Sequence, residues 1–167
     1  KGVATASVNT AYVANGTGSG KWQTIPGTPS NTLLIKTVSD LPNPVSGNIT
    51  LSGDTIYQFV GVVDLGSNRL TLGANTILYG CSALTDGFSS TTTGNLITAT
   101  ASFAVSQLQM TCANGSVLAL TGAGSRLEIA TFRNTRILSC DTFGSINNWG
   151  IFVFAEGTVL SMATDGL

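Results

Sequence analysis

The 167-residue chain contains no histidine, which removes the Ser-His-Asp and Cys-His arrangements of hydrolases and the imidazole ligands of mixed metal sites. Charge is also scarce. Only 9% of residues are Asp, Glu, Lys or Arg, against roughly 25% in an ordinary soluble domain. The seven bases (Lys1, Lys21, Lys36, Arg69, Arg126, Arg133 and Arg136) are scattered, and the net charge is −1, so there is no stripe to follow a phosphate backbone and nucleic acid is excluded as a partner. The three cysteines, Cys81, Cys112 and Cys140, are too few and too far apart for a disulfide scaffold or a zinc site. The longest apolar runs, Phe59 to Val63 and Ile151 to Phe154, fall far short of the ~20 residues that span a bilayer, which excludes a membrane helix. Lys1 to Thr10 lacks the apolar segment of a signal peptide, and no helical period competes with the short β-branched runs.

What the chain does have is a repeat. Ile49-Thr50-Leu51-Ser52-Gly53-Asp54-Thr55-Ile56 and Leu70-Thr71-Leu72-Gly73-Ala74-Asn75-Thr76-Ile77 are nearly one sentence written twice, 21 residues apart. In each copy a strand alternates apolar, Thr, apolar, then turns a glycine corner at Asp54 or Asn75 and opens a second strand. A period of this length is one turn of a stacked solenoid, in which each rung buries its apolar face only against the next. Alternation puts Leu51 and Leu72 inside and Thr50 and Thr71 outside. With 43% hydrophobic residues and so little charge, the outside should itself be covered by further copies of the chain.

Along the chain, residues 1–30 are small and polar up to Gly20 and carry Pro26, Gly27 and Pro29 at the end, which predicts an extended N-terminal arm and linker. Tyr12, Val13 and Trp22 are its candidate attachment residues, able to add as a strand to a neighbour. Residues 31–167 are the solenoid body, or a piece of a longer one, since a strand runs almost to Asp165-Gly166-Leu167 without a polar cap. Strands are expected at Thr32–Val38, Asn48–Leu51, Thr55–Val60, Val62–Leu65, Asn68–Leu72 and Thr76–Tyr79. A short helical cap follows the first, near Ser39 to Pro44. Asp86–Gly94 reads as a Ser/Thr-rich loop leaving the body. Further strands are expected at Leu96–Thr98, Phe103–Thr111, Val117–Leu120, Leu127–Thr131, Thr135–Ser139, Ile151–Phe154 and Val159–Met162, with Asp141–Asn148 as a turn. Cys112 and Cys140 both end strands, which predicts stacked buried thiols. Asn134 and Asn147-Asn148 are placed to ladder at a corner.

The acids available for chemistry are Asp40, Asp54, Asp64, Asp86, Glu128, Asp141, Glu156 and Asp165. A glycosidase needs two of them across one bond, ~5.5 Å apart for retention or ~6.5–9.5 Å for inversion. Asp54 and Asp64 read as turn residues. Glu128 and Arg126 flank Leu127 and should point outward together, as a solvated or intersubunit pair. A calcium-dependent lyase would need clustered acids and a base, and these acids are isolated. Asn15 to Gly20 lacks the context of a phosphate loop. The triplets at Asn15, Asn48 and Asn114 match glycosylation sequons by coincidence in an Asn/Ser/Thr-rich chain. An ice-binding face would need Thr-X-Thr in every rung, and Thr98-Ala99-Thr100 is not repeated. No catalytic, cofactor-binding or metal site is assigned, and the chain reads as non-enzymatic.

The run Leu41 to Leu51, continued by Asp64 to Leu70, Asp86 to Ser90 and Gly94 to Thr98, resembles β-helical virion proteins of tailed bacteriophages, and Tyr12 to Trp22 resembles the anchoring arms of phage tail-fibre and head-surface proteins. The resemblance implies a right-handed parallel β-helix, homotrimeric, located in the virion after assembly in the host bacterial cytoplasm, with the arm bound to capsid or tail proteins. It leaves open a head decoration, a head fibre or a tail fibre. The alternative is a tailspike-type binder or depolymerase of host surface glycan, with Glu128, Asp141 or Glu156 lining its groove.

Overall fold

The computed structural model describes residues 10–14, 20–24, 31–123 and 127–162. Thr10–Ala14 (β1) and Gly20–Thr24 (β2) pair antiparallel, with Tyr12 opposite Trp22 and Val13 opposite Lys21. The three candidate attachment residues thus share one two-stranded sheet.

The body is a parallel β-solenoid of about five turns. Asn31–Ile35 (β3) starts it, followed by a single 3-10 turn at Val38–Asp40. The rungs then run Asn48–Leu51 (β4), Thr55–Phe59 (β5), Val62–Asp64 (β6); Arg69–Leu72 (β7), Thr76–Tyr79 (β8), Gly87–Ser90 (β9); Asn95–Ala99 (β10), Phe103–Ser106 (β11), Gln109–Cys112 (β12); Ser116–Thr121 (β13), Ile129–Arg133 (β14), Arg136–Cys140 (β15); and Thr142–Asn147 (β16), Ile151–Ala155 (β17), Val159–Met162 (β18). Like positions stack into three sheets. Sheet I is β4-β7-β10-β13-β16, sheet II is β3-β5-β8-β11-β14-β17 and sheet III is β6-β9-β12-β15-β18. The expected 21-residue spacing holds between the first two rungs, where Asn75 reaches back to Asp54, and opens to 27 between Thr71 and Thr98.

The register explains the sequence pattern. In sheet I, Ile49, Leu70, Ile97 and Leu118 form one inward column, and Leu51, Leu72, Ala99 and Leu120 another, all buried. In sheet II, Tyr57, Leu78, Val105 and Phe132 stack inward and are fully buried. Thr50 and Thr71 face out, as alternation requires. At the corner between sheets I and II, Asp54 and Asn75 adopt left-handed backbone (φ 52 and 57), and the Asn75 amide donates to the Asp54 carboxylate at 2.9 Å, so Asp54 is the turn residue it was expected to be. Gly53 is required beside it, because a Cβ there would sit 2.6 Å from the Ala74 carbonyl oxygen of the next rung.

Four expectations are corrected. Asp86–Gly94 does not leave the body: Gly87–Ser90 is β9, Phe88 is fully buried, and Phe88 stacks on Phe59 at 5.2 Å. The excursion lies just before it, with Leu84 at its exposed tip. Phe103–Thr111 is two strands, because Gln107 takes left-handed backbone (φ 55) and turns the chain from sheet II to sheet III. Thr142–Asn147 is a strand rather than a turn, admitted by Gly144 (φ 107), where any Cβ would collide with the Leu118 carbonyl. The first strand ends at Ile35, cut short by the 3-10 turn.

Candidate functional site

Each sheet presents one outer face, and the three differ in chemistry. The outer row of sheet I reads Thr50, Thr71, Thr98, Ala119, Ser145 down the register. Hydroxyls bond one another along this face, Thr71 to Thr98 at 3.0 Å and Ser116 to Thr142 at 2.7 Å, while the Arg69 guanidinium donates to the Asn48 side chain. Sheet III is mixed: Asp64, Ser89, Thr111, Leu138, Ser161 in one row and Val62, Gly87, Gln109, Arg136, Val159 in the other.

Sheet II is the apolar face. One outer row reads Thr32, Ile56, Ile77, Ala104, Thr131, Val153, and the second Leu34, Gln58, Tyr79, Ser106, Arg133, Ala155. Ile129 and Ile151 extend it at the strand starts and are exposed. Its single charge, Arg133, is matched by Glu156 at 3.6 Å. Where the small Ala104 follows Ile77, the surface dips into a hollow of about 210 Å³ between Ile77, Phe103 and Ile129, edged by Asn75 and Ser102. A shallow apolar hollow on a flat, nearly uncharged sheet suits a complementary side chain better than a polar ligand.

The acids do not converge. Glu128 precedes β14 at the corner between sheets I and II, Asp141 lies between sheets III and I, and Glu156 between sheets II and III, so they stand at three different corners of the cross-section. The expectation that Glu128 points outward is reversed: Glu128 is buried and accepts a hydrogen bond from the Ala123 N–H at 3.0 Å, while Leu127 is 78% exposed. The reason is that β14 begins only at Ile129, so the alternation assumed from Leu127 has not yet started. Arg126 lies outside the described residues. The expected asparagine ladder is also not formed as one column, since Asn134 turns the corner from sheet II to III and Asn148 that from sheet I to II, both in left-handed backbone.

Sequence reasoning missed Asp86. Its buried carboxylate accepts from the Gly61 N–H at 3.0 Å, the Cys81 N–H at 2.8 Å and the Ser82 N–H at 3.1 Å. These bonds, that from Gly61 foremost, hold its carboxyl below the usual range despite burial. Asp86 thereby pins the excursion before β9 to the preceding rung. The only sequence signal was an acid five residues after Gly80-Cys81.

The stacked thiols are observed. Cys112 and Cys140 are fully buried at the ends of β12 and β15, and neither forms a disulfide. The neighbouring Cys112 thiol, with burial, holds Cys140 as the thiol, and each Sγ donates to a backbone carbonyl, Cys140 to Leu138 at 3.5 Å and Cys112 to Thr92 at 3.6 Å. Among the described residues, no three of His, Cys, Asp or Glu are grouped to hold a metal ion. The chain matches no protein-family model, no curated protein and no solved structure.

Proposed function

We propose that this chain is a non-enzymatic structural protein of a tailed-bacteriophage particle, a homotrimer that decorates the capsid or projects as a fibre, attached through its N-terminal residues. The observation that carries the reading is the unbroken parallel stack of five rungs, whose like side chains run in columns and make a stiff body out of nearest-neighbour contacts. The resemblance of Leu41 to Leu51 and Tyr12 to Trp22 to phage virion proteins supplies the particle, and the shortage of surface charge supplies the self-association. Residues 1–30 are proposed as the attachment segment, with Tyr12, Val13 and Trp22 as its anchors.

The test is to delete Lys1 to Gly20 and count copies on assembled particles by imaging. Loss of the chain from particles, with the β circular-dichroism spectrum retained, is the expected result, and undiminished occupancy would overturn the attachment role. Incubating the protein with host surface polysaccharide and assaying reducing ends tests the non-enzymatic part, which the appearance of new ends would overturn.

A further inference from the structure

We propose that the outer face of sheet II is the surface on which copies of this chain meet, side by side with their rungs level, two neighbours to each chain. This rests on the self-association in the reading above and specifies where it occurs.

Three observations carry it. The first is the contrast between faces: sheet I spends its hydroxyls on one another, and sheet III carries Asp64 and Arg136, whereas sheet II offers Ile56, Ile77 and Ala104 in consecutive register, with Val153 one rung beyond Thr131 and Tyr79 in the adjoining row. The second is charge. Copies rotated about an axis parallel to the solenoid bring each residue to the height of its equivalent, so any uncompensated charge would meet its like. Sheet II carries only Arg133, already neutralised by Glu156. The third is area. Six strands ~4.8 Å apart, with strands of about five residues at ~3.3 Å each, give a face of roughly 400 Å². The apolar side chains fill part of that face, beside Gln58, Ser106 and Thr131, and the whole is about half of the ~800 Å² per partner of a standard interface. A two-fold contact of this face alone therefore falls short. A closed three-fold ring, in which each chain presents the face to one neighbour and its flanking corner, where Leu127 stands exposed ahead of β14, to the other, adds surface beyond the face itself. The hollow over Ala104 gives that contact a socket for a neighbour's side chain.

The experiment measures mass by light scattering for the wild-type chain, Ala104→Glu, Ile77→Lys and, as control on sheet I, Thr50→Lys. The wild type and Thr50→Lys should scatter as three times 17.1 kDa, and the two sheet II variants as single chains with unchanged β spectra. A single-chain wild type would overturn the trimer reading itself. A three-chain wild type with three-chain Ala104→Glu and Ile77→Lys would overturn only the assignment of the face. Because a charge could instead disturb folding, a second pair needs none: Ala104→Cys and Thr50→Cys, each in a Cys81→Ser background and treated with a short bis-maleimide. Covalent multimers from Ala104→Cys alone support the face, and multimers from Thr50→Cys alone overturn it.

Discussion

The first rung and the fifth are made of the same kinds of residues and differ in how many neighbours they have among the described residues. Under the first rung lie β3, the 3-10 turn and Leu41, and its inward side chains Ile49, Leu51, Tyr57 and Phe59 are all at most 1% exposed. The fifth rung has the fourth on one side. Its inward Ile146 and Phe154, which continue the columns of Leu120 and Phe132, are 41% and 44% exposed among the described residues. An inward position in a solenoid is thus only as buried as its neighbours make it. The stabilisation is a sum of rung-on-rung terms rather than a property of each rung.

The largest expected effect comes from placing a charge among well-stacked rungs. Leu72→Asp puts a carboxylate into a column that is closed above by Ala99 and below by Leu51, where it must ionise unpaired or stay protonated without partners. That costs several kcal/mol out of the ~5–15 kcal/mol that holds a domain together, so soluble protein should be lost. Thr71→Asp, on the outer face, should cost about 1 kcal/mol through loss of the hydroxyl bond to Thr98. Chemical denaturation of both variants checks the difference, and equal loss would overturn the register.

The next comparison sets one column against itself. Phe132 is fully buried, with rings at 5.8 Å (Phe103), 5.3 Å (Phe152) and 5.7 Å (Phe154), whereas Phe154 occupies the same inward column one rung on and is half open. Phe132→Ala should cost about 3–5 kcal/mol. Phe154→Ala should cost roughly 1–2 kcal/mol, in proportion to the apolar area it removes from water. A cost at Phe154 equal to that at Phe132 would mean that something covers the fifth rung in solution.

Smaller again is the clamp on the excursion. Asp86→Ala removes an acceptor shared by three backbone N–H groups and should cost about 2–3 kcal/mol. The wild-type contribution also has a definite pH dependence. Because the folded carboxyl is held below its unfolded value near 3.9, the stabilisation is complete above that pH and is lost as pH falls through the depressed folded value. Denaturation midpoints of wild type and Asp86→Asn should therefore converge below about pH 4. Parallel curves across that range would show that the charge is irrelevant.

How much of this was legible depended on whether a signal was local. The Asp54 and Asn75 corners, the inward Leu51 and Leu72, and the buried Cys112 and Cys140 were readable, because alternation and a glycine corner are written in adjacent residues. Gly87–Ser90 and Thr142–Asn147 were not, since their small and polar residues look like loop. They are strands because each has a rung to pair with: Val63 beside Phe88, and Leu118 beside Gly144. Glu128 failed for the same reason in reverse, its orientation being set by where β14 begins. The apolar character of sheet II's outer face was equally invisible, since Ile56, Ile77, Ala104 and Val153 become one row only once the unequal rung lengths are known.

The smallest expected effect also separates a two-neighbour rung from the fifth. Asn75 and Asn148 turn the same corner, between sheets I and II, both in left-handed backbone (φ 57 and 52), where asparagine is tolerated and alanine is strained by about 1 kcal/mol. At Asn75 the turn is held from both sides: its backbone N–H donates to the Ser102 carbonyl of the following rung at 2.7 Å, and its amide to Asp54 of the preceding one at 2.9 Å. Strain there is felt by the whole stack, and Asn75→Ala should lower global stability by about 1–2 kcal/mol, with Asn75→Gly recovering the backbone part of the loss. At Asn148 the same strain falls on a rung that has one neighbour among the described residues, and such a rung can open by itself. Asn148→Ala should therefore speed amide hydrogen exchange in β16 and β17 while leaving exchange in β7 and β8 unchanged. If the exchange of both regions rose together, the solenoid would unfold as a single unit, and the distinction between its ends would not extend to its dynamics.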